Sequence, residues 1–259
     1  MHNKIQILIP SYKRAGQLFG YNYFKGARYV ISKSQEKDYL QYCDPERLVI
    51  MPDEFEGNLA VKRNWILDNF QKPLLMLDDD IDCLMMCEGR HVVKGKEHEK
   101  ATEKIKMTPE QAMMMVEMGF NLAHEFGCVF WGINFNTDGR NYQQYKPFSL
   151  TSIILGPFQG HVDHSMRYDE RFPVKHDYDF CLQVMQTHHK ALRMNKFSYR
   201  CEHGDNSGGI VSMRSMEYEM KYCREIEKKW GRSIIKYPMQ PKSMKHLLNG
   251  NVRIPVAGV

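Results

Sequence analysis

Four aspartates crowd the stretch KPLLMLDDDID, residues 72–82, where an apolar run passes straight into Asp78, Asp79 and Asp80, with Asp82 just beyond. Adjacent carboxylates repel one another, so this arrangement calls for an offsetting positive charge. Mn²⁺ and Mg²⁺ are hard cations that prefer carboxylate oxygens, and Mg²⁺ sites commonly combine one or two carboxylates with substrate phosphates. Two aspartates at D-x-D spacing can then serve one metal and one sugar or ribose hydroxyl. The plainer account is a solvated acidic turn. Placement at the end of the apolar run LLML favours the metal.

A second carboxylate pair lies in HDYDF, residues 176–180, at the start of an amphipathic helix. Asp177 near a helix N-terminus is stabilised by the dipole and explicable as a capping residue. Alternatively, Asp177 or Asp179 is a general base facing an acceptor hydroxyl, with MRYDERF, residues 166–172, packed beneath it. A third candidate is His203 in the glycine-flanked stretch CEHGDNSGG, 201–209. Neutral imidazole ligates transition metals, and such a loop can close over a nucleotide. Cys83, Cys87 and His91 have the spacing of a zinc half-site, but no fourth ligand is apparent. The run Met113–Met115 reads as core filling. Neither a P-loop nor a dinucleotide glycine fingerprint is present.

These groups need a frame, and the first eighty residues supply one. Short apolar runs at 5–9, 27–32, 47–51 and 73–77 read as strands, with helix-compatible stretches at 16–25, 35–42 and 58–70 between them. Such alternation predicts an α/β fold with a mostly parallel sheet covered on both faces, and ligands bind at the carboxyl ends of its strands. Both PSYKR, residues 10–14, and the aspartate run occupy such ends. Residues 88–106 read as a mobile polar loop. A capping box at Thr108–Gln111 starts a helix to about residue 126. Strands follow at 128–133, 150–155 and 196–201, and helices at 176–189 and 213–230. A single domain over 1–235, with a basic tail over 236–259 packed on it, completes the reading.

Composition sets outer bounds. The chain has 259 residues, 42% hydrophobic and 26% charged, ordinary for a globular protein. No apolar run approaches the ~18 residues a membrane span requires, so no membrane partner is expected. Seven cysteines, an odd number without framework spacing, suggest reduced thiols in the cytoplasm. The formal charge of +5 is modest, but basic residues gather at 94–106 and over the C-terminal third (Arg224, Lys228, Lys229, Arg232, Lys236, Lys242, Lys245, Arg253). That excess fits a solvated surface and a nucleic-acid face about equally.

ILIPSYKRAGQ, GNLAVKRNWIL, LLMLDDDI, MRYDERF with HDYDF, and CEHGDNSGG occur in one order over about residues 4–210. In that order and spacing the chain resembles the GT-A fold, nucleotide-sugar-dependent glycosyltransferases. Within them it is most similar to the phage TET-associated glycosyltransferases, thought to add sugars to 5-hydroxymethylcytosine in DNA. The resemblance implies a Rossmann-like GT-A domain and a UDP-sugar donor. Pro10, Ser11, Tyr12 and Arg14 would line the nucleotide pocket, and Arg63 and Asn64 would reach the donor. Asp78 would contact the ribose or sugar, with Asp79 grouped beside it, and Asp80 and His203 would hold the metal. The base is left between Asp177 and Asp179, because His176 stands where the family has an acidic residue. No Q-x-x-R-W processivity motif is present, so a single transfer is expected. The implied setting is the cytoplasm of a host cell, if the chain is phage-encoded. A protein, lipid or polysaccharide acceptor is the close alternative. A nucleotidyltransferase or a non-catalytic sugar-nucleotide sensor is more remote.

Overall fold

A computed structural model describes residues 5–18, 23–89, 102–135, 142–201, 215–248 and 250–254. The chain alternates as expected at first: β1 (Gln6–Pro10), β2 (Arg28–Ser32), α1 (Glu36–Tyr39), β3 (Leu48–Met51), α2 (Leu59–Asn69) and β4 (Leu74–Leu77). A hairpin of β5 (Ile81–Gly89) and β6 (Thr102–Lys106) follows, then α3 (Pro109–Glu125) and β7 (Phe130–Asn134). The remainder is β8 (Phe148–Ser149), β9 (Phe158–His161), α4 (His176–His188), β10 (Leu192–Cys201) and α5 (Met216–Trp230), then β11 (Ile235–Lys236), α6 (Lys245–Leu248) and β12 (Asn251–Val252).

Nine strands lie in the order β3-β2-β1-β4-β9-β7-β10-β5-β6, with β8 on β10. Strands β1 to β4, β7 and β10 run one way, and β9 is inserted antiparallel between β4 and β7. The expected mostly parallel α/β sheet of GT-A type is the architecture observed. Period-two alternation divides its side chains between two cores. Ile7, Ile9, Leu75 and Leu77 join α3 residues Met115, Val116 and Phe120 on one face. Leu8, Leu74 and Met76 join α2, α4 and α5 on the other, through Ile66, Phe180, Val184 and Ile226. Trp131 is fully buried between α3 and β9. It fits because Gly119 and Gly160 face it; a Cβ on Gly160 would stand 2.0 Å from its Nε1.

Several expectations are corrected. Among the described residues of 16–25 there are turns and no helix; Tyr23 and Phe24 are buried there as core side chains. The described ends of 88–106 are strand, because β5 continues along β10 and returns as β6. Residues 150–155 form no strand beyond one isolated bridge, Thr151 to Ala191. Their apolar run packs as irregular chain against α4, with the Ile154 amide 3.4 Å from Cys181 Sγ, and β9 takes the sheet position. Cys83 and Cys87 sit on a strand, where four residues span ~13 Å, too far for one zinc. His91 is outside the described residues. All seven cysteines are free. No helix among the described residues is long and apolar enough to cross a membrane. The boundary drawn at 235/236 falls inside β11, and Tyr237 and Leu247 are buried in the same core as α4 and α5.

Candidate active site

Parallel pairing of β1 with β4 sets their carboxyl ends side by side, so the PSYKR turn meets the aspartate run directly. Asp79 is the link. It is buried, one carboxylate oxygen accepts from Ser11 Oγ at 2.6 Å, and the other pairs with Arg14. Burial raises its proton affinity, and Arg14 and Ser11 oppose that rise. Asp79, grouped by the sequence with the donor-contacting residues, has both oxygens engaged within the protein, where they fix the turn. Ser11 Oγ also lies 2.7 Å from the Tyr39 hydroxyl, which accepts from the Arg14 amide at 3.2 Å. Lys13 is held left-handed (φ 54°), its amide donating to Gln35 Oε1 at 2.6 Å. Pro10 is buried at the end of β1. Tyr12 remains half-exposed, with the ammonium groups of Lys13 and Lys62 at 5.1 and 5.8 Å from its ring centre.

Helix α2 starts at an Asn58 cap, whose side chain accepts from the Val61 amide, and then buries three polar residues in succession. Successive helical residues point ~100° apart, so Lys62, Arg63 and Asn64 serve three different places. Lys62 donates to the Ser11 carbonyl at 2.8 Å and pairs with Glu56 at 2.8 Å. Asn64 clamps residues 168–170, accepting from the Tyr168 amide at 2.8 Å and donating to the Tyr168 carbonyl and Glu170, both at 2.9 Å. Asn64, expected to reach the donor, is held here to residues 168–170.

Arg63 is fully buried at the centre. One terminal nitrogen donates to Asp78 at 2.5 Å and to the Gly156 carbonyl at 2.8 Å; the other donates to Gln159 at 2.9 Å and to His176 Nε2 at 3.2 Å. Its guanidinium lies over the Tyr168 ring, and Tyr168 stacks on Phe180 at 4.2 Å. MRYDERF thus packs beneath HDYDF as the sequence suggested. Arg63, expected to contact the donor, ties Asp78, Gly156, Gln159 and His176 together. His176 accepts its hydrogen bond only as neutral imidazole, and burial beside Arg63 depresses its pKa to about 4.

Asp177 is half-buried on the first turn of α4. It accepts from the Gly156 amide at 3.0 Å and from its neighbour's amide, Tyr178, at 2.9 Å. Burial alone would raise its pKa; His176, the Gly156 amide, Arg63 and Lys175 more than offset that and hold it below the usual carboxylate range. Gly156 keeps the space between the two groups open: a Cβ there would stand 3.3 Å from Asp177 and 3.4 Å from Arg63. Asp179, the other candidate base, points elsewhere. It is fully buried against α5, bonded to Gln183 at 2.7 Å, Lys229 at 2.7 Å and the Trp230 indole at 2.7 Å. Those partners dock α4 against α5.

Asp80 lies at the mouth of the cluster, its nearest oxygen 3.8 Å from Arg14. Burial, with Asp78 and Asp79 beside it, pushes its pKa up to about 7, and Arg14 opposes that rise. Asp82 is removed from this group by Arg200, at 2.5 Å. His203 lies outside the described residues. Among those described, no group of three or more His, Cys, Asp or Glu side chains is gathered to hold a metal. One or two carboxylates suit a hard cation whose remaining ligands are phosphate and water. Sequence reasoning missed Lys62, Gly156, Gln159 and Lys175. The available signal for Lys62 was the polar trio KRN inside the apolar stretch LAVKRNWIL.

Chemically, the site presents two partly exposed carboxylates, Asp78 after β4 and Asp177 on the first turn of α4, with the buried Arg63 bonded to Asp78 and to His176 beside Asp177. A deprotonated Asp177 can accept a proton, and Asp78 retains an oxygen for a hydroxyl. No curated protein matches the chain. The family model described as TET-Associated Glycosyltransferase matches residues 5–209, from the first strand through the stretch that follows β10. The chain belongs to the TET-associated glycosyltransferases, and it is a glycosyltransferase.

Proposed function

We propose that this protein transfers a sugar from a UDP-sugar donor to the hydroxymethyl group of a modified cytosine in DNA. Asp177 is the base in this reading. The observation that carries it is the Arg63 bridge: one buried guanidinium bonded to Asp78 and set beside Asp177, at the strand ends where an α/β sheet binds ligands. Asp177 stays ionised, takes the proton of the acceptor hydroxyl, and so favours direct displacement at the anomeric carbon. Asp78 accepts from a ribose or sugar hydroxyl, and Tyr12 offers the donor's base a ring. Asp80, with His203, would hold Mn²⁺ or Mg²⁺, which when bound supplies electrostatic stabilisation of the leaving diphosphate.

A base within a duplex must leave the stack to enter such a site. DNA as the acceptor is supported by the exposed Lys228, Lys236, Lys242 and Arg253 on the C-terminal segment, which suit phosphate contacts. The test is transfer itself. Protein, Mn²⁺, hydroxymethylated DNA and a panel of nucleotide sugars are incubated, and the DNA is digested to nucleosides for mass spectrometry. A hexose-sized mass increment on hydroxymethyldeoxycytidine from one UDP-sugar supports the reading. Donor consumption with unmodified DNA would redirect it to a protein, lipid or polysaccharide acceptor.

A further inference from the structure

The residues on both sides of Asp177 reach into one region, the segment 216–254, which lies beyond the stretch matched by the family model. Lys175, which precedes α4, is buried, and its ammonium donates to the carbonyls of Leu247 and, at 3.4 Å, Leu248, and pairs with Glu219 at 2.9 Å. Three acceptors match its three N–H bonds. Glu219 is itself fully buried on α5. Tyr178 accepts through its hydroxyl from the Gly250 amide at 3.2 Å and packs edge-on against Tyr237. Asp179 is held by Lys229 and Trp230.

Lys175 also adopts a left-handed backbone (φ 67°), which is strained in a non-glycine residue and persists only where surroundings impose it. Its carbonyl accepts from the Asp179 amide at 3.0 Å, closing the first turn of α4. The turn that aims Asp177 is thus shaped by a residue whose side chain is anchored 72 residues away in sequence.

We infer that the C-terminal segment is part of the catalytic apparatus, positioning Asp177 through the Lys175–Glu219–Leu247 tether and its companion from Tyr178 to Gly250. Lys175, Glu219 and Tyr178 are positioning residues for the transfer; they do not touch substrate. The inference rests on Asp177 as the base, yet the tether has a readout independent of that reading. The titratable groups that interact with Asp177 are Arg63 from α2, Lys175 just before α4, His176, Tyr178 and Cys181 on it, Tyr168 before it, Tyr199 on β10 and Tyr237 beside β11. Lys175 is the cation among them that the tether itself holds.

Amide hydrogen exchange and kinetics on the full chain test this with Lys175→Met, Lys175→Arg and Tyr178→Phe. Exchange of amides 179–182 should quicken at least tenfold in Lys175→Met and severalfold in Tyr178→Phe, with α3 unchanged. Undiminished protection in both overturns the tether, whatever the reaction proves to be. If Lys175→Met loses protection throughout the molecule, Tyr178→Phe decides. In the transfer assay Lys175→Met should lower kcat tenfold or more with donor KM within twofold, and move the acid limb of the kcat profile to higher pH. Lys175→Arg should restore the limb. A lower kcat with an unmoved limb reduces Lys175 to a merely structural residue and overturns the inference. An active Asp177→Asn variant overturns the base assignment and leaves the exchange result standing.

Discussion

Replacing Arg63 by Met removes the cation that bridges the two halves of the site. Arg63 is fully buried, and four hydrogen bonds end on its terminal nitrogens, one of them on the Asp78 carboxylate. Breaking a buried ion pair by deleting one partner costs about 3–5 kcal/mol, because the remaining charge stays behind without compensation. At about 2–4 °C per kcal/mol for a chain of this size, the melting temperature should fall by roughly 6–20 °C. Arg63→Lys keeps the charge but not the planar fork, and should lose about 1–3 kcal/mol through unmet acceptors. Displacing Asp78 and Asp177 by an ångström is enough for a loss of about 10²-fold in kcat, so both variants should transfer poorly even at temperatures where they are folded. Scanning calorimetry and initial rates on the same preparations measure both effects. An Arg63→Met protein that melts within about 2 °C of the parent and transfers normally would refute the hub.

Three further outcomes are expected. Asp179→Asn should cost about 1–3 kcal/mol through its weakened bonds to Lys229 and Trp230, visible in denaturant melts, while the folded fraction keeps its kcat. His176 is neutral when folded, with a pKa near 4 against ~6.5 unfolded. The unfolded chain therefore binds the extra proton, and the stability contributed above pH ~6.5 is lost as pH falls toward 4; His176→Asn should flatten that part of the stability–pH curve. DNA affinity should fall steeply with salt, with a log–log slope of about 0.9 per phosphate contact. Alanine at Lys228, Lys236, Lys242 and Arg253 should reduce that slope, and a slope unaffected by all four would move the DNA contact elsewhere.

The strand pattern, the two-faced sheet and the convergence of PSYKR with DDD were legible in the sequence, because short unbroken apolar runs with polar ends suit strands buried on both faces. Irregular core was not legible: residues 150–155 are as apolar as a strand, and only tertiary packing decides that β9, with its glycine and buried histidine, sits in the sheet. At the site, residue types identified a carboxylate-rich centre, but the division of labour depended on partners distant in sequence. Asp177 and Asp179 are equivalent in HDYDF. What separates them is Gly156 on one side of α4 and Trp230 on the other. Likewise Asp79 is indistinguishable from Asp78 until Ser11 and Arg63 are placed. Lys175 carried no signal, since a buried lysine before a helix looks like any surface cation until its acceptors are known.

The central claim is that Asp177 takes the acceptor's proton in a site that binds the donor without its help. Asp177→Asn, titrated with the UDP-sugar that the nucleoside assay identifies and then assayed on hydroxymethylated DNA, tests it most directly. The account predicts donor affinity within about twofold of the parent, as expected for a group outside the donor contacts, and transfer reduced by about 10²–10⁴-fold, the range for loss of a general base. Transfer at the parent rate by Asp177→Asn would contradict it.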